Sequence, residues 1–197
     1  VKLWVIGVLK KMSKKKVIIL SIVLILSIAY ISRVAYINIV YGPIEVTQYS
    51  VGDKVKICNY QYQVSDYKFL SQDEYEKKYG ELIDDEYDYD DHMFIIVEVK
   101  CKKLSDKYKK KFEFSPTGFR VQSKTISAVL DLDLFYQIMP DDYKKIEKAG
   151  DSNTVILPYV FAKSTLTEEH WKNFKNLDFK LSLNDAENKK IEINLKK

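Results

Sequence analysis

The chain has 197 residues and a formal net charge of +4. Seven basic and no acidic residues precede residue 34, so residues 34–197 hold 25 basic against 28 acidic side chains. This mildly acidic remainder removes the electrostatic support that nucleic-acid binding needs. The low content of glycine and proline, six and four residues, argues against a disordered or low-complexity chain.

An apolar stretch without charges follows three consecutive lysines near the start of the chain. It covers residues 17–32 and, continued through Arg33 to residue 41, makes a helix of about 37 Å, which exceeds a hydrocarbon core of about 30 Å. Arg33 then lies near the outer interface, where its side chain can reach water. The lysines before the stretch place the N-terminus in the cytoplasm. We therefore predict a transmembrane anchor over 17–41 behind a basic cytoplasmic tail, 1–16.

A cleaved signal peptide is the alternative interpretation of the same stretch. Ser27, Ile28 and Ala29 match a small-x-Ala cleavage site, and cleavage would make the following domain a secreted one. The start of the chain also has two interpretations. Met12, followed by lysines, is a natural start, which would make residues 1–11 an upstream extension.

The residues after the anchor predict a mostly β domain over 42–197. Fifteen Tyr and nine Phe, many alternating with Val and Ile, favour strands. Ser71 and Glu74 match a capping box that opens a short helix, and Gly80 ends it. Pro158 within a strand predicts an edge or a bulge. The predicted strands are 44–49, 54–64, 66–70, 93–101, 112–115, 119–125, one or two within 126–138, 154–163, 177–183 and 190–195. Helical turns are predicted over 140–150 and 165–173.

Eight or so short strands with a small helical insertion predict an antiparallel β-sandwich of the immunoglobulin-like type. The Cys, Trp and Cys spacing of antibody domains is absent, so the prediction concerns architecture. Four features carry a resemblance to a known type of protein: the lysine-flanked anchor, the V-G-D-K-V strand entry (51–55), the M-F-I-I-V-E-V-K strand (93–100) and the L-P-Y-V-F strand (157–161). In these features the chain resembles the single-anchor, extracytoplasmic immunoglobulin-like domains of Gram-positive bacteria, which are classed as domains of unknown function. The resemblance covers about residues 44–196 and implies fold and location, without catalytic residues.

Two cysteines lie in predicted strands on the exported side of the membrane. A disulfide between Cys58 and Cys101 would close a loop of about 43 residues and stabilise the domain by about 4 kcal/mol. Two buried thiols are the alternative, because strand phase alone does not place the side chains opposite each other.

An acidic segment, residues 81–92 (ELIDDEYDYDDH), is the most unusual local feature. Its carboxylates could hold Ca²⁺, although the Gly and closing Glu of an EF-hand loop are absent. A solvated loop and a docking surface for a cationic partner are the other interpretations. The acidic side chains concerned are Asp84, Asp85, Glu86, Asp88, Asp90 and Asp91.

Other polar residues give weaker indications. Lys107 and Lys109–Lys111 form a basic cluster that could touch anionic lipid or a wall polymer. His92 and His170 lack the spacing of a zinc motif and are expected at the surface or at helix ends. Trp171 and the tyrosines could line a groove, although packing is their commoner role.

These observations predict a membrane-anchored extracytoplasmic interaction module without catalytic activity, cofactor, metal or nucleic-acid partner. Its expected partner is an extracellular protein, peptide or wall polymer. The alternative is an immunity-like or sensory cell-surface protein that docks a partner through the acidic segment.

Overall fold

The structure is a computed structural model that describes residues 13–40, 44–82, 91–107, 114–140, 146–184 and 189–196. The chain divides between Ile44 and Glu45 into two compact units. The first contains the helix α1 (Lys14–Val40) and the second contains all the described strands.

Helix α1 is apolar on all sides, and none of its residues is buried. A helix without a polar face has no single stripe that packs against a domain and leaves the rest in water. By length and composition, α1 is the one helix among the described residues that can cross a membrane, and a signal sequence has the same properties. The predicted apolar helix is therefore present from residue 17 to residue 40, and residue 41 lies outside the described part.

In the described residues of the second unit there are nine strands and three short α-helices. The strands are β1 (Glu45–Ser50), β2 (Val55–Ile57), β3 (Tyr60–Ser71), β4 (His92–Lys103), β5 (Phe119–Gln122), β6 (Ser127–Val129), β7 (Ser152–Ala162), β8 (Lys180–Asn184) and β9 (Lys189–Asn194). The helices are α2 (Gln72–Tyr79), α3 (Leu132–Ile138) and α4 (Glu168–Lys172). The mostly β prediction is confirmed.

The strands form two sheets. The five-stranded sheet has the order β1-β9-β8-β5-β6, and the four-stranded sheet has the order β2-β3-β4-β7. The pairings are antiparallel, except that β1 runs parallel to β9, with Glu45 opposite Lys189. Pro158 lies in β7 at the edge of the four-stranded sheet, as predicted.

The inner faces of both sheets contribute to one hydrophobic core. Val64, Val97 and Leu157 enter it from the four-stranded sheet, and Val121 and Leu181 enter it from the other. These five side chains are fully or almost fully buried. Burying one such side chain stabilises the fold by about 1.5–3 kcal/mol.

The predicted strand over 54–64 is wrong, because the chain turns within it. β2 ends at Ile57, Cys58 and Asn59 form the turn, and β3 returns from Tyr60. Cys58 has a φ of 53°, a left-handed conformation that ends a strand. The alternation of buried residues changes phase between Ile57 and Tyr60, and this change marks the hairpin. The register shift of β3 falls later, between Val64 and Asp66.

The strands predicted within 126–138 are only partly correct. β6 covers Ser127–Val129, and the alternating leucines that follow belong to the helix α3. Asp131 caps this helix, since its Oδ1 accepts the Leu134 N–H at 3.0 Å. Leu134 and Phe135 are the helix residues that become buried. Of the other predicted elements, 114–115 form no strand, while 112–113 and 141–145 lie outside the described residues.

The outer face of the four-stranded sheet carries a second hydrophobic cluster. Phe94 and Ile96 of β4 point away from the main core and are covered by Tyr75 of α2 and Leu134 of α3. β4 is therefore buried on both faces over this half of its length. The two helices close this part of the sheet, and the first end of the acidic segment lies beside them.

The capping box of α2 supports the first prediction. The Ser71 Oγ accepts the Glu74 N–H at 3.3 Å, and the Glu74 Oε2 accepts the Ser71 N–H at 2.8 Å. We expect Ser71→Ala to lower the free energy of unfolding by about 1 kcal/mol, measured by urea denaturation. Ser152→Ala, at an exposed serine, is the control and should change it by less than about 0.5 kcal/mol. Equal losses in both variants would contradict a capping role.

Candidate functional site at the base of the acidic segment

The acidic segment is described only at its two ends. Asp84, Asp85, Glu86, Asp88 and Asp90 lie outside the described residues, whereas Glu81, Leu82 and Asp91 lie within them. The predictions of calcium binding and of docking therefore remain predictions. The structure describes the base of this segment, which consists of Glu81 and Leu82 at one end and Asp91 at the other.

The first end of the segment is held by α3 and the second cluster. The Gln137 side chain donates from Nε2 to the Glu81 carbonyl at 2.9 Å. Leu82 packs against the cluster of Tyr75, Phe94, Ile96 and Leu134. Glu81 and Leu82 are therefore held in place by α3 and by the second cluster.

The second end is held by Lys163, directly after β7. The Lys163 Nζ lies 2.7 Å from the Asp91 Oδ2, and the Lys163 N–H donates to the Asp91 carbonyl at 2.9 Å. The Lys163 Nζ also lies 5.8 Å from the centre of the Trp171 ring. Because both side chains of the ion pair are about half exposed or more, its net contribution to stability is about 0–1 kcal/mol. The backbone hydrogen bond from Lys163 fixes the main chain at Asp91, and the ion pair orients the Asp91 side chain.

A tyrosine seam, formed by Tyr75, Tyr79 and Gln137, runs between α2 and α3. The Tyr75 and Tyr79 hydroxyls and the Gln137 Oε1 are buried and have no hydrogen-bond partner among the described residues. The Tyr75 ring stacks on Phe94 with centroids 4.4 Å apart and lies 5.2 Å from the Tyr79 ring. Burial raises the pKa of Tyr75, and the charge of Asp131 raises it further. The hydroxyl therefore stays protonated and is a donor in an apolar environment.

The tyrosine seam is a part of the site that the sequence analysis did not predict. Its tyrosines lie four residues apart on one helix, a spacing that indicates a shared face. The partner Gln137 is 58 positions away from Tyr79 and reaches the seam only through the fold. A buried hydroxyl without a hydrogen-bond partner lowers the free energy of unfolding by about 1–3 kcal/mol. The tyrosine seam therefore destabilises the domain, and its polar atoms could still form hydrogen bonds.

The structure shows no disulfide between Cys58 and Cys101, and both the disulfide and the pair of thiols stay predictions. Cys101 is buried in β4, where it pairs with Tyr62 of β3 and Asn153 of β7. Cys58 lies in the turn between β2 and β3 and is half-buried. Burial raises the pKa of the Cys101 thiol, and a thiol that stays protonated is a poor nucleophile.

The two histidines and Lys107, the described lysine of the basic cluster, lie in different parts of the fold: His92 in β4, His170 in α4 and Lys107 after β4. His92 is buried at the start of β4, with its ring 6.4 Å from the ring of Phe94, so its predicted surface position is wrong. His170 lies in α4, with Nε2 3.3 Å from the Thr125 hydroxyl. Lys107 donates its N–H to the Ser105 hydroxyl, and residues 109–111 lie outside the described part. Among the described residues, no three His, Cys, Asp or Glu side chains are grouped closely enough to hold a metal ion.

A buried carboxylate lies on the outer face of the five-stranded sheet. The side chain of Glu192 in β9 is 9% exposed and accepts hydrogen bonds from the Lys180 Nζ at 2.8 Å and the Gln122 Nε2 at 3.0 Å. The Lys190 Nζ lies 2.9 Å from the Glu192 Oε1, the carboxylate oxygen that also accepts the hydrogen bond from Gln122. The hydrogen bond from Lys180, with a smaller effect of Lys190, lowers the pKa of Glu192. The carboxylate is therefore satisfied and ionised, which favours a structural role.

These observations define the class of protein, a mostly β domain of two sheets in a chain that also has an apolar helix. A family model described as "Domain of unknown function (DUF5028)" matches residues 46–190. The chain belongs to this family. None of the curated proteins matches the chain.

Two solved structures have a limited similarity to this chain. One is described as a functionally unknown protein from Listeria monocytogenes EGD-e, with 13% identity and a TM-score of 0.42, covering 69% of this chain and 71% of that chain. The other is the yjhA protein from Bacillus subtilis, with 14% identity and a TM-score of 0.39, covering 75% of this chain and 99% of that chain.

Removal of the Tyr75 hydroxyl tests the tyrosine seam. We expect Tyr75→Phe to raise the free energy of unfolding by about 1 kcal/mol, because it removes a buried donor without a partner and keeps the ring on Phe94. Tyr159→Phe is a matched variant, since the buried Tyr159 hydroxyl also lacks a partner among the described residues. Loss of stability in Tyr75→Phe, with a gain in Tyr159→Phe, would show that the Tyr75 hydroxyl has a partner in solution.

The pH dependence of stability tests Glu192. Its pKa is lowered in the folded state, so its contribution is complete above the unfolded value of about 4.3 and is lost as the pH falls through the folded value. We expect Glu192→Gln to be less stable at pH 7 by about 1 kcal/mol, with a smaller loss of stability between about pH 5 and pH 3 than the original chain. The control is Glu45→Gln, at an exposed carboxylate of the same sheet. An unchanged pH profile in Glu192→Gln would contradict the assignment.

Proposed function

We propose that this chain is a single-pass membrane protein whose domain lies outside the cytoplasm and acts by binding, without catalysis. The observation that carries the proposal is α1, a helix of 27 residues with none buried. Leu24, Ile25 and Leu26 near its centre are each 60–65% exposed. Leaving this much apolar surface in water is unfavourable, and a bilayer removes it from water.

The orientation follows from the lysines at the start of α1. Lys14, Lys15 and Lys16 precede the apolar residues, and an excess of lysine marks the cytoplasmic side of a span. Arg33 is the one charged residue within the apolar part. Its guanidinium lies 5.6 Å from the Tyr36 ring, and both residue types are suited to the outer interface. The domain after residue 44 is then extracytoplasmic.

We further propose that the domain is an immunoglobulin-like sandwich, which the order of its strands supports. In that fold one sheet has the order A-B-E and the other has the order C-F-G. Here β3-β4-β7 is equivalent to A-B-E, and β5-β8-β9 is equivalent to C-F-G. The additional β6 beside β5 corresponds to strand C′ of variable-type domains. The hairpin strand β2 is an addition to this scheme.

The surface that engages a partner is proposed at the base of the acidic segment. Glu81 is fixed to α3 and Asp91 to Lys163, so both described ends of the acidic segment have defined positions. Docking of a cationic partner by Asp84, Asp85, Glu86, Asp88 and Asp90 remains a prediction, as does the immunity-like or sensory role that it would serve.

Cysteine labelling in intact cells tests the topology. Lys124→Cys places a thiol at an exposed turn between β5 and β6, and Ser13→Cys places one before α1. We expect a membrane-impermeant maleimide to label Lys124→Cys in intact cells, above the background that the half-buried Cys58 gives in the original chain. Ser13→Cys should be labelled only after lysis, and both variants should sediment with membranes after alkaline extraction.

Each other result has a defined meaning. Labelling of Ser13→Cys but not Lys124→Cys in intact cells would reverse the orientation. Protection of both thiols until lysis would place the domain in the cytoplasm. A shortened, soluble product in the medium would make α1 a cleaved signal sequence and would overturn the anchor.

A further inference from the structure

The outer face of the four-stranded sheet is divided into two halves of opposite character. The half that contains Phe94 and Ile96 is apolar and is covered by α2 and α3. The other half carries exposed lysines and polar side chains that point to the same side. We call this half the lysine strip, and it comprises Lys56, Gln61, Gln63, Lys100, Lys102, Ser152 and Thr154.

The lysine strip consists of two rows that cross the sheet. In the first row Lys56 pairs with Gln61, Gln61 with Lys102, and Lys102 with Ser152, so the row crosses all four strands. In the second row Lys100 lies between a glutamine of β3 and a threonine of β7. From strand spacing, Lys56 and Lys102 are about 10 Å apart, and Lys100 and Lys102 are about 7 Å apart.

The three lysines of the strip are available for an anionic partner. Lys56, Lys100 and Lys102 are exposed, and the structure gives none of them an ion pair with a described residue. The strip contains no carboxylate. The nearest row holds Asp66 and Glu98, and the Lys68 Nζ lies 3.2 Å and 3.7 Å from their carboxylate oxygens. The charge of the strip is therefore not compensated within it.

Protection of a sheet edge accounts for only one of these lysines. β2 is an edge strand, and a charge at Lys56 is a common device against aggregation. β4 is a central strand with partners on both sides. Lys100 and Lys102 therefore protect no edge, and two like charges two residues apart on one face repel each other unless an anion lies between them.

The lysine strip lies at the end of the domain where β1 begins. The Tyr62 ring, on the strand next to Lys100 and Lys102, is 5.4 Å from the Phe119 ring. Phe119 pairs with Leu183, and Leu183 pairs with Ile191. Ile191 pairs with Thr47, the third residue of β1. The chain thus enters the domain at the level of the strip, four residues after α1 ends.

We propose that the lysine strip binds the anionic phospholipid headgroups of the membrane in which α1 is anchored, an inference that rests on the proposed function. Four residues, 41–44, separate the last residue of α1 from the first residue of β1, and each residue of a chain spans at most about 3.5 Å. Lysines near an anionic surface are attracted to it, with an effect that salt screens. Docking holds the lysine strip on the bilayer, while the base of the acidic segment lies at the other half of the same sheet, beside α2 and α3.

Lysine reactivity in the full chain tests the proposal. The protein is reconstituted in nanodiscs of phosphatidylcholine, or of phosphatidylcholine and phosphatidylglycerol at 3:1, and an amine-reactive reagent is read out by mass spectrometry. We expect Lys56, Lys100 and Lys102 to react several-fold more slowly in the anionic nanodiscs. Lys77 and Lys124, exposed outside the strip, should react equally in both, and 0.5 M salt should remove the difference.

Matched variants measure the contribution of the charges. In the full chain anchored in the anionic nanodiscs, we expect the double variant Lys100→Gln, Lys102→Gln to let Lys56 react as fast as it does in phosphatidylcholine nanodiscs, because each lysine removed weakens docking by about 5-fold. The double variant Lys77→Gln, Lys124→Gln removes the same charge outside the strip and should leave the protection of Lys56 unchanged. Unfolding midpoints of both variants exclude a loss of fold.

The outcomes separate this proposal from the proposed function. Equal reactivity of the strip lysines in both nanodiscs would show an ordinary solvated face and overturn the proposal, while resistance of α1 to alkaline extraction would leave the anchor intact. A chain that alkali extracts from the nanodiscs would overturn the anchor itself. Protection of the strip in phosphatidylcholine nanodiscs only after addition of soluble polyphosphate would assign it to a phosphate polymer in place of the bilayer.

Discussion

The burial of β4 on both faces is the constraint on which the rest of the domain depends. Its inner side chains, among them Val97 and Val99, lie in the core shared by the two sheets. Its outer side chains Phe94 and Ile96 require a separate cover, which α2 and α3 supply. Without this cover the apolar half of the sheet would face water at a cost of about 1.5–3 kcal/mol for each large side chain.

The cover also sets the character of the candidate site. Placing Tyr75 over Phe94 buries the ring and, with it, a hydroxyl that finds no partner among the described residues. The same two helices hold the first end of the acidic segment through Gln137. The polar atoms of the tyrosine seam are thus buried because the two helices cover the sheet, and they lie close to the first end of the acidic segment. The buried hydroxyls that lower the stability of the domain therefore lie beside the most acidic segment of the sequence.

Local sequence signals predicted the elements that depend on neighbouring residues. The capping box of Ser71 and Glu74 and the edge position of Pro158 are both present. Each depends on contacts or backbone limits within a few positions. A strand is wrongly predicted where two local signals compete. Alternating leucines suggested a strand up to residue 138, but the cap at Asp131 starts a helix.

Long-range pairing was the part that the sequence could not supply. Nothing near Glu192 indicates that Lys180 and Gln122 will converge on it, because they belong to different strands of the sheet. The tyrosine seam and the lysine strip likewise join residues that are far apart in the chain. The turn at Cys58 was missed for a different reason, since cysteine is an uncommon residue at a positive φ.

The parallel pairing of β1 with β9 has a mechanical consequence. A domain that holds a partner while tethered by its first strand transmits tension along β1. Because β1 and β9 run side by side in register from Glu45–Lys189 to Ser50–Asn194, a pull on the start of β1 directed along the strand loads their hydrogen bonds together, in shear, and does not open them one after another. The first strand thus joins the tether to the last strand of the chain, and the sheet resists extraction at the point where force enters the fold.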